Sequence, residues 1–173
     1  MVQKPSSVCL DIKPFKKLFY RGCFYNSLLS ILFSYNKNIN DLLLNDEIQY
    51  QFKNKKDNEY LGIQYKAIRP INVMLKGLGV DFQYSYERYD LIENLINNID
   101  QCRPVIIWVD YFYLPYRTDT YQVVHWGETI LIIGYSLKDK IFFAIDQLEK
   151  ERLKKIRSRY LIHKSGYDPC IDP

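Results

Sequence analysis

Three short apolar runs, all in the second half of the 173-residue sequence, constrain its fold most. Val105-Ile106-Ile107-Trp108-Val109 reads as a buried strand, Thr129 to Tyr135 as a second and Ile141 to Ile145 as a third. Ser136 to Lys140 has the length of a hairpin turn, so the last two runs pair antiparallel. The first half carries a different period. Phe24, Leu28, Ile31, Leu32 and Tyr35 recur at helical spacing after Arg21-Gly22-Cys23. This spacing puts Cys23 at, or just inside, the start of an amphipathic helix of about three turns. Residues 36–47, with Leu42-Leu43-Leu44 inside, suit a short second helix. Pro70 suits the first turn of another, running to about Lys76, with Gly77 and Gly79 as stop signals. Asp90 and Glu93 form a capping-box pattern for a helix over Leu91 to Ile99. The remaining stretches read as an extended approach (1–19), a charged surface loop (51–60, QFKNKKDNEY), a strand (Val80 to Tyr86), a Tyr-rich connection (110–124) and a basic helix (Leu148 to Ile156). Helices followed by a strand-rich half make an α+β fold, expected as one domain over 1–173.

Bulk properties narrow the function. Hydrophobic residues make up 47% and charged residues 25%, which is a globular rather than a disordered composition. A net charge of +4 with no dominant basic stripe argues against a nucleic-acid binder. Two basic clusters exist, Lys13, Lys16, Lys17 and Arg21, and the set from Lys150 to Arg159. The N-terminus is polar and no apolar run approaches the ~20 residues that span a bilayer, so a cytoplasmic location is expected. The four cysteines (Cys9, Cys23, Cys102 and Cys170) lack CxxC spacing and are read singly, as reduced thiols, with no structural zinc site expected.

Cys23 is the candidate nucleophile. A helix N-terminus favours thiolate through its dipole and free N–H groups, and a neighbouring imidazole adds to this. Gly22 leaves room for a substrate to approach the sulfur. The base in such chemistry is a histidine, and there are two. His163 lies in a polar tail, whereas His125 stands at the head of the strongest strand, which makes it the candidate. Asp146 ends the following strand and is placed to orient the imidazole; its alternative role is a helix N-cap.

The run from Pro104 to Tyr116 (PVIIWVDYFYLPY), then His125, Ile130-Leu131-Ile132-Ile133-Gly134-Tyr135 and Phe143-Ala144-Ile145-Asp146, resembles the N-terminal, papain-like domain of the butirosin biosynthesis protein H family. The segment GCFYNSLLSIL around Cys23 is similar to that family's nucleophile helix. The resemblance implies a papain-like cysteine-protease fold, with the nucleophile helix packed on a C-terminal antiparallel sheet, and a catalytic set Cys23, His125 and Asp146. It implies an amide-forming acyltransferase: an acyl group moves from a carrier-protein thioester, through a Cys acyl-enzyme, to an amine. Stand-alone members of closthioamide-type thiotemplated pathways are similar in size.

The expected partners are therefore an acyl or peptidyl carrier protein and a small amine or diamine. No intrinsic cofactor is expected, the acyl group arriving on the carrier's phosphopantetheine. Lys17 and Arg21 are candidates for steering an acidic carrier, and Tyr111, Tyr113, Tyr116 and Tyr121 for lining an acyl channel. Two departures from the family pattern matter. Family members often carry a histidine three residues after the position of His125, where this chain has Glu128. The oxyanion-hole glutamine commonly found six residues before the cysteine is here Lys17, which leaves the Cys23 N–H as one donor and Lys17, Tyr20 or Arg21 for the second. Two alternatives stand beside acyl transfer. One is a hydrolase of the same fold, a peptidase or thioesterase. The other is a catalytically degenerate carrier-binding scaffold.

Overall fold

The computed structural model describes residues 5–15, 22–55, 58–85, 90–146 and 153–157. The chain divides into two compact units, one formed by Met1–Tyr35 with Glu87–Pro173, the other by Asn36–Tyr86.

The first unit is a mixed helix–sheet body, as the α+β reading expects. Its elements are β1 (Ser7–Cys9), α1 (Cys23–Ser34), α4 (Leu91–Asp100), β4 (Val105–Asp110), β5 (Gly127–Ser136), β6 (Ile141–Ile145) and β7 (Leu153–Arg157), with a 3-10 turn over Tyr111–Tyr113. All pairings are antiparallel and β5 is the hub. One edge of β5 takes β6. The other takes β4 along residues 127–132 and β1 along 134–136. β5 is buried almost throughout because its run of branched apolar side chains is covered on both faces. Leu95, Ile99, Ile107, Tyr111, Ile130, Ile132 and Phe142 form one core. Ile12, Leu131, Ile133 and Ile145 form another, and α1 packs against β5. At Gly134 a Cβ would run into the β1 backbone, 2.8 Å from Cys9 Cα, so glycine is what lets β1 close on the sheet.

The second unit contains α2 (Asn40–Leu43), β2 (Asp46–Lys55), β3 (Asn58–Ala67) and α3 (Ile71–Gly77). β2 and β3 make an antiparallel hairpin of their own. Pro70 caps α3 at its start. At its end, Gly79 takes φ +68 while its N–H and that of Val80 bond back to Lys76 and Leu75, a Schellman closure.

Four expectations of local structure are corrected. Residues 51–60 lie mostly in the two strands of a hairpin, because Ile48, Tyr50 and Phe52 alternate with polar residues at period two. Val80 to Ser85 is irregular, with no strand pairing to it among the described residues; Tyr86 lies outside them. Leu153–Arg157 is a strand rather than part of a basic helix: it pairs with β6 and buries Ile156. Asp90 does precede α4, but at φ 60 it lies in the left-handed region and its side chain caps nothing. A capping side chain needs an extended backbone to reach the N–H groups of the first turn.

Candidate functional site

α1 opens on Cys23 itself, with Gly22 as N-cap at φ −58 and ψ 165 and no capping side chain. The helix therefore presents its first N–H groups beside the thiol. Among the described residues, a Cβ on Gly22 would meet nothing within 4 Å. Cys23 is nonetheless buried.

Glu128 is placed to accept from the Cys23 thiol, and Glu128, Asp146 and Arg117 are all close enough to act on it electrostatically. Glu128 sits opposite Val109 in the β4–β5 register and also accepts from the indole Nε1 of Trp126 at 3.2 Å. Burial first, then the Glu128 hydrogen bond and the negative charges of Glu128 and Asp146, push the Cys23 thiol up to about 12; Arg117 opposes them. A helix N-terminus would do the reverse. Here burial, reinforced by the neighbouring carboxylates, holds the proton on sulfur.

Asp146 follows β6 and is fully buried. Tyr111 donates its hydroxyl to Oδ1 at 3.0 Å and Tyr116 to Oδ2 at 2.9 Å. Arg117 Nη1 is 3.9 Å from Oδ2, while its Nε and Nη2 grip Asp119 at 3.0 and 2.8 Å. The Arg117 guanidinium also lies over the Tyr111 ring at 4.1 Å. Burial, then the charge of Asp146, push the Tyr111 phenol well above its ordinary range.

His125 is elsewhere. Its Nδ1 is 2.6 Å from Asp110 Oδ2, its ring stacks on Phe112 at 4.2 Å, and its side chain is 61% exposed. Asp110 Oδ1 also accepts the backbone N–H groups of Phe112 and Trp126 at 3.0 and 3.1 Å. Burial resists ionisation of Asp110, but the His125 ring and the two backbone donors outweigh it and hold the carboxyl below its ordinary value.

Of the expected set, Cys23 and Asp146 come together and His125 does not join them. Its partner is Asp110, not Asp146, and the carboxylate that acts most on the thiol is that of Glu128. Gly127 pairs regularly with Asp110, and the register shift in β5 lies between Ile132 and Gly134. Tyr111 and Tyr116 serve Asp146 with their hydroxyls, and Tyr113 packs by its edge against Phe112 and His125. Lys17 and Arg21, with Lys16 and Tyr20, lie outside the described residues.

Sequence reasoning passed over Arg117 and the Asp110–His125 pair. The available signal for the pair was strand register: Asp110 ends β4 and pairs with Gly127, so the residues just before β5 arrive beside it.

Among the described residues no helix is long and apolar enough to cross a membrane, and no group of three or more acidic, His or Cys side chains is placed to hold a metal ion. No curated protein and no solved structure matches the chain. The profile of one family, described as butirosin biosynthesis protein H, N-terminal, matches residues 41–147. That segment contains Asp110, Arg117, His125, Glu128 and Asp146; Cys23 precedes it. With more than half of its length matched, the chain belongs to the butirosin biosynthesis protein H N-terminal family.

Proposed function

We propose that this chain is a cytoplasmic, papain-like acyltransferase that forms amides in natural-product biosynthesis, with Cys23 as acyl carrier and Glu128 in the place of the imidazole. One observation carries this reading: the Cys23 thiol stands at a helix start, within reach of Glu128 and the buried Asp146. The substrate is an acyl thioester on the phosphopantetheine of a carrier protein, and the acceptor is a small amine. As the sulfur attacks the thioester carbonyl, its proton passes to Glu128 and then to the departing pantetheine sulfur. In the second half the amine attacks the Cys23 thioester, loses its proton to Glu128 and releases the thiol. The backbone N–H of Cys23 is one donor to the tetrahedral oxyanion in both halves, a role in which a single donor is worth about 3 kcal/mol.

A second reading is favoured by the high proton affinity of the same thiol. With His125 committed to Asp110, the domain acts as a non-catalytic carrier-binding member of the family.

Intact-protein mass spectrometry after incubation with a short acyl-pantetheine thioester separates the two. An acyl adduct that disappears in Cys23→Ala, and is discharged by an added diamine faster than by water, supports the transferase. Discharge by water alone makes it a hydrolase. No adduct, with carrier binding intact, supports the second reading.

A further inference from the structure

Trp126 stands just before β5 with its side chain 53% exposed, yet the backbone that carries it is fixed at both ends. Its N–H donates to Asp110 Oδ1 at 3.1 Å, and its carbonyl accepts the N–H of Tyr111 at 2.9 Å. Asp110 is held in turn. Its side chain is 6% exposed, and its carboxylate also takes the Phe112 N–H at 3.0 Å and meets the His125 ring at 2.6 Å. From this fixed backbone the indole Nε1 donates to Glu128 Oε1 at 3.2 Å. Water would satisfy an indole this exposed almost equally well, so the contact reports where the backbone aims it. Glu128 is only half-buried, and its rotatable side chain is free to turn the carboxylate toward solvent unless something holds it.

We propose that Trp126 is a positioning residue: its indole holds the Glu128 carboxylate toward the Cys23 thiol, and Asp110 holds Trp126 in place for that task. This rests on the reading of Glu128 as the group that faces the thiol, and not on acyl transfer. The indole N–H donates and offers no basic site. It engages Oε1 without cancelling the negative charge, and leaves Oε2 for the sulfur. A lysine or arginine in the same place would neutralise the carboxylate instead.

Two measurements on the full chain test this. The first is the indole N–H signal in proton–nitrogen NMR. The chain has two tryptophans, so the signal lost in Trp108→Phe assigns both while position 126 stays untouched. Glu128→Ala is expected to move the Trp126 signal upfield, toward that of an indole bonded to water, and to leave the Trp108 signal in place. The second is iodoacetamide alkylation of Cys23 in a double-mutant cycle. Glu128→Gln is expected to react about tenfold faster than the wild type at about pH 8. A released carboxylate that spends about half its time turned to water gives half of that gain on a logarithmic scale, so Trp126→Phe is expected to react about threefold faster. In the Glu128→Gln background Trp126→Phe adds nothing, because no charge is left to aim. Trp108→Phe removes an indole of similar exposure (55%) from β4 and leaves the rate unchanged. The proposal is overturned by a Trp126 signal that Glu128→Ala leaves in place, by a Trp126→Phe rate no higher than that of the wild type, or by an equal gain in Trp108→Phe. It is also overturned by a gain that persists in the Glu128→Gln background, which would make the indole a screen over the sulfur. If Glu128→Gln itself changes nothing, the reading of Glu128 falls and this proposal with it; if Trp126→Phe alone is silent, only the positioning role falls.

Discussion

Glu128→Gln removes the charge beside the Cys23 thiol while keeping an oxygen that accepts its hydrogen bond. In the wild-type chain the thiol is pushed from an ordinary value near 9 up to about 12, a difference of about 4 kcal/mol between its two protonation states. Burial is the largest contribution and stays in the variant, as does the charge of Asp146. The share of Glu128 is bounded from above by a contact between unit charges at ~4 Å, about 4 kcal/mol at an effective dielectric near 20. Because burial takes the larger part, we expect the thiol to titrate about one pH unit lower in Glu128→Gln, a tenfold gain in thiolate at pH 8. Glu128→His replaces repulsion with an imidazole that stabilises thiolate when protonated, and a fall of two units or more is expected. The assay is the pH dependence of iodoacetamide alkylation, followed peptide by peptide, since Cys9 and Cys102 are exposed and react as well. The sign is fixed: alkylation at Cys23 in the wild type rises with pH to the end of the accessible range, and the variants reach the same rate at lower pH. If Cys23 alkylates with the same pH profile in all three proteins, Glu128 is not what holds the proton on sulfur, and the account of the site fails.

Two further outcomes follow from the surrounding polar groups. Tyr111→Phe and Tyr116→Phe each remove a hydroxyl from a buried carboxylate, so each is expected to lower stability by about 1.5–3 kcal/mol in urea titration, Tyr111→Phe by more because its hydroxyl is the more buried. Asp110 has a depressed folded value, so its contribution is complete above the ordinary aspartate value of 3.8 and is lost as pH falls through the lower folded one. The melting temperature of the wild type should therefore exceed that of Asp110→Asn at pH 6, and the gap should close on acidification.

The sheet of the first unit was legible because β4, β5 and β6 are dense in branched apolar residues, which leaves one reading open to them. The β2–β3 hairpin was not, although its alternation is as regular, because Lys, Asn and Gln fill the intervening positions and the connecting residues look like a solvated loop. Strand β7 was hidden for a related reason: Leu153 and Ile156 fit a helical spacing, and only the free edge of β6 decides for a strand. At the site, Cys23 and Asp146 were read from their places at the ends of elements, and the structure sets them close together. His125 was read at the head of β5, which the strand's start does not reach. β5 begins at Gly127, so the first side chain the strand offers is that of Glu128, while His125 still belongs to the connection and follows it to Asp110. Spacing along the chain does not reveal where a strand starts, and that start determines which of two nearby side chains meets the thiol.

The fastening of Asp146 by Tyr111, Tyr116 and Arg117 separates robustness from reactivity. The clamp ties the connection after β4 to the end of β6 without passing through position 128. Exchange of glutamate for histidine there leaves the clamp standing, so what faces the thiol can change without loosening the scaffold. Mutational scans of this chain should find position 128 tolerant for folding and position 146 intolerant, with thiol reactivity and thermal survival segregating as separate traits.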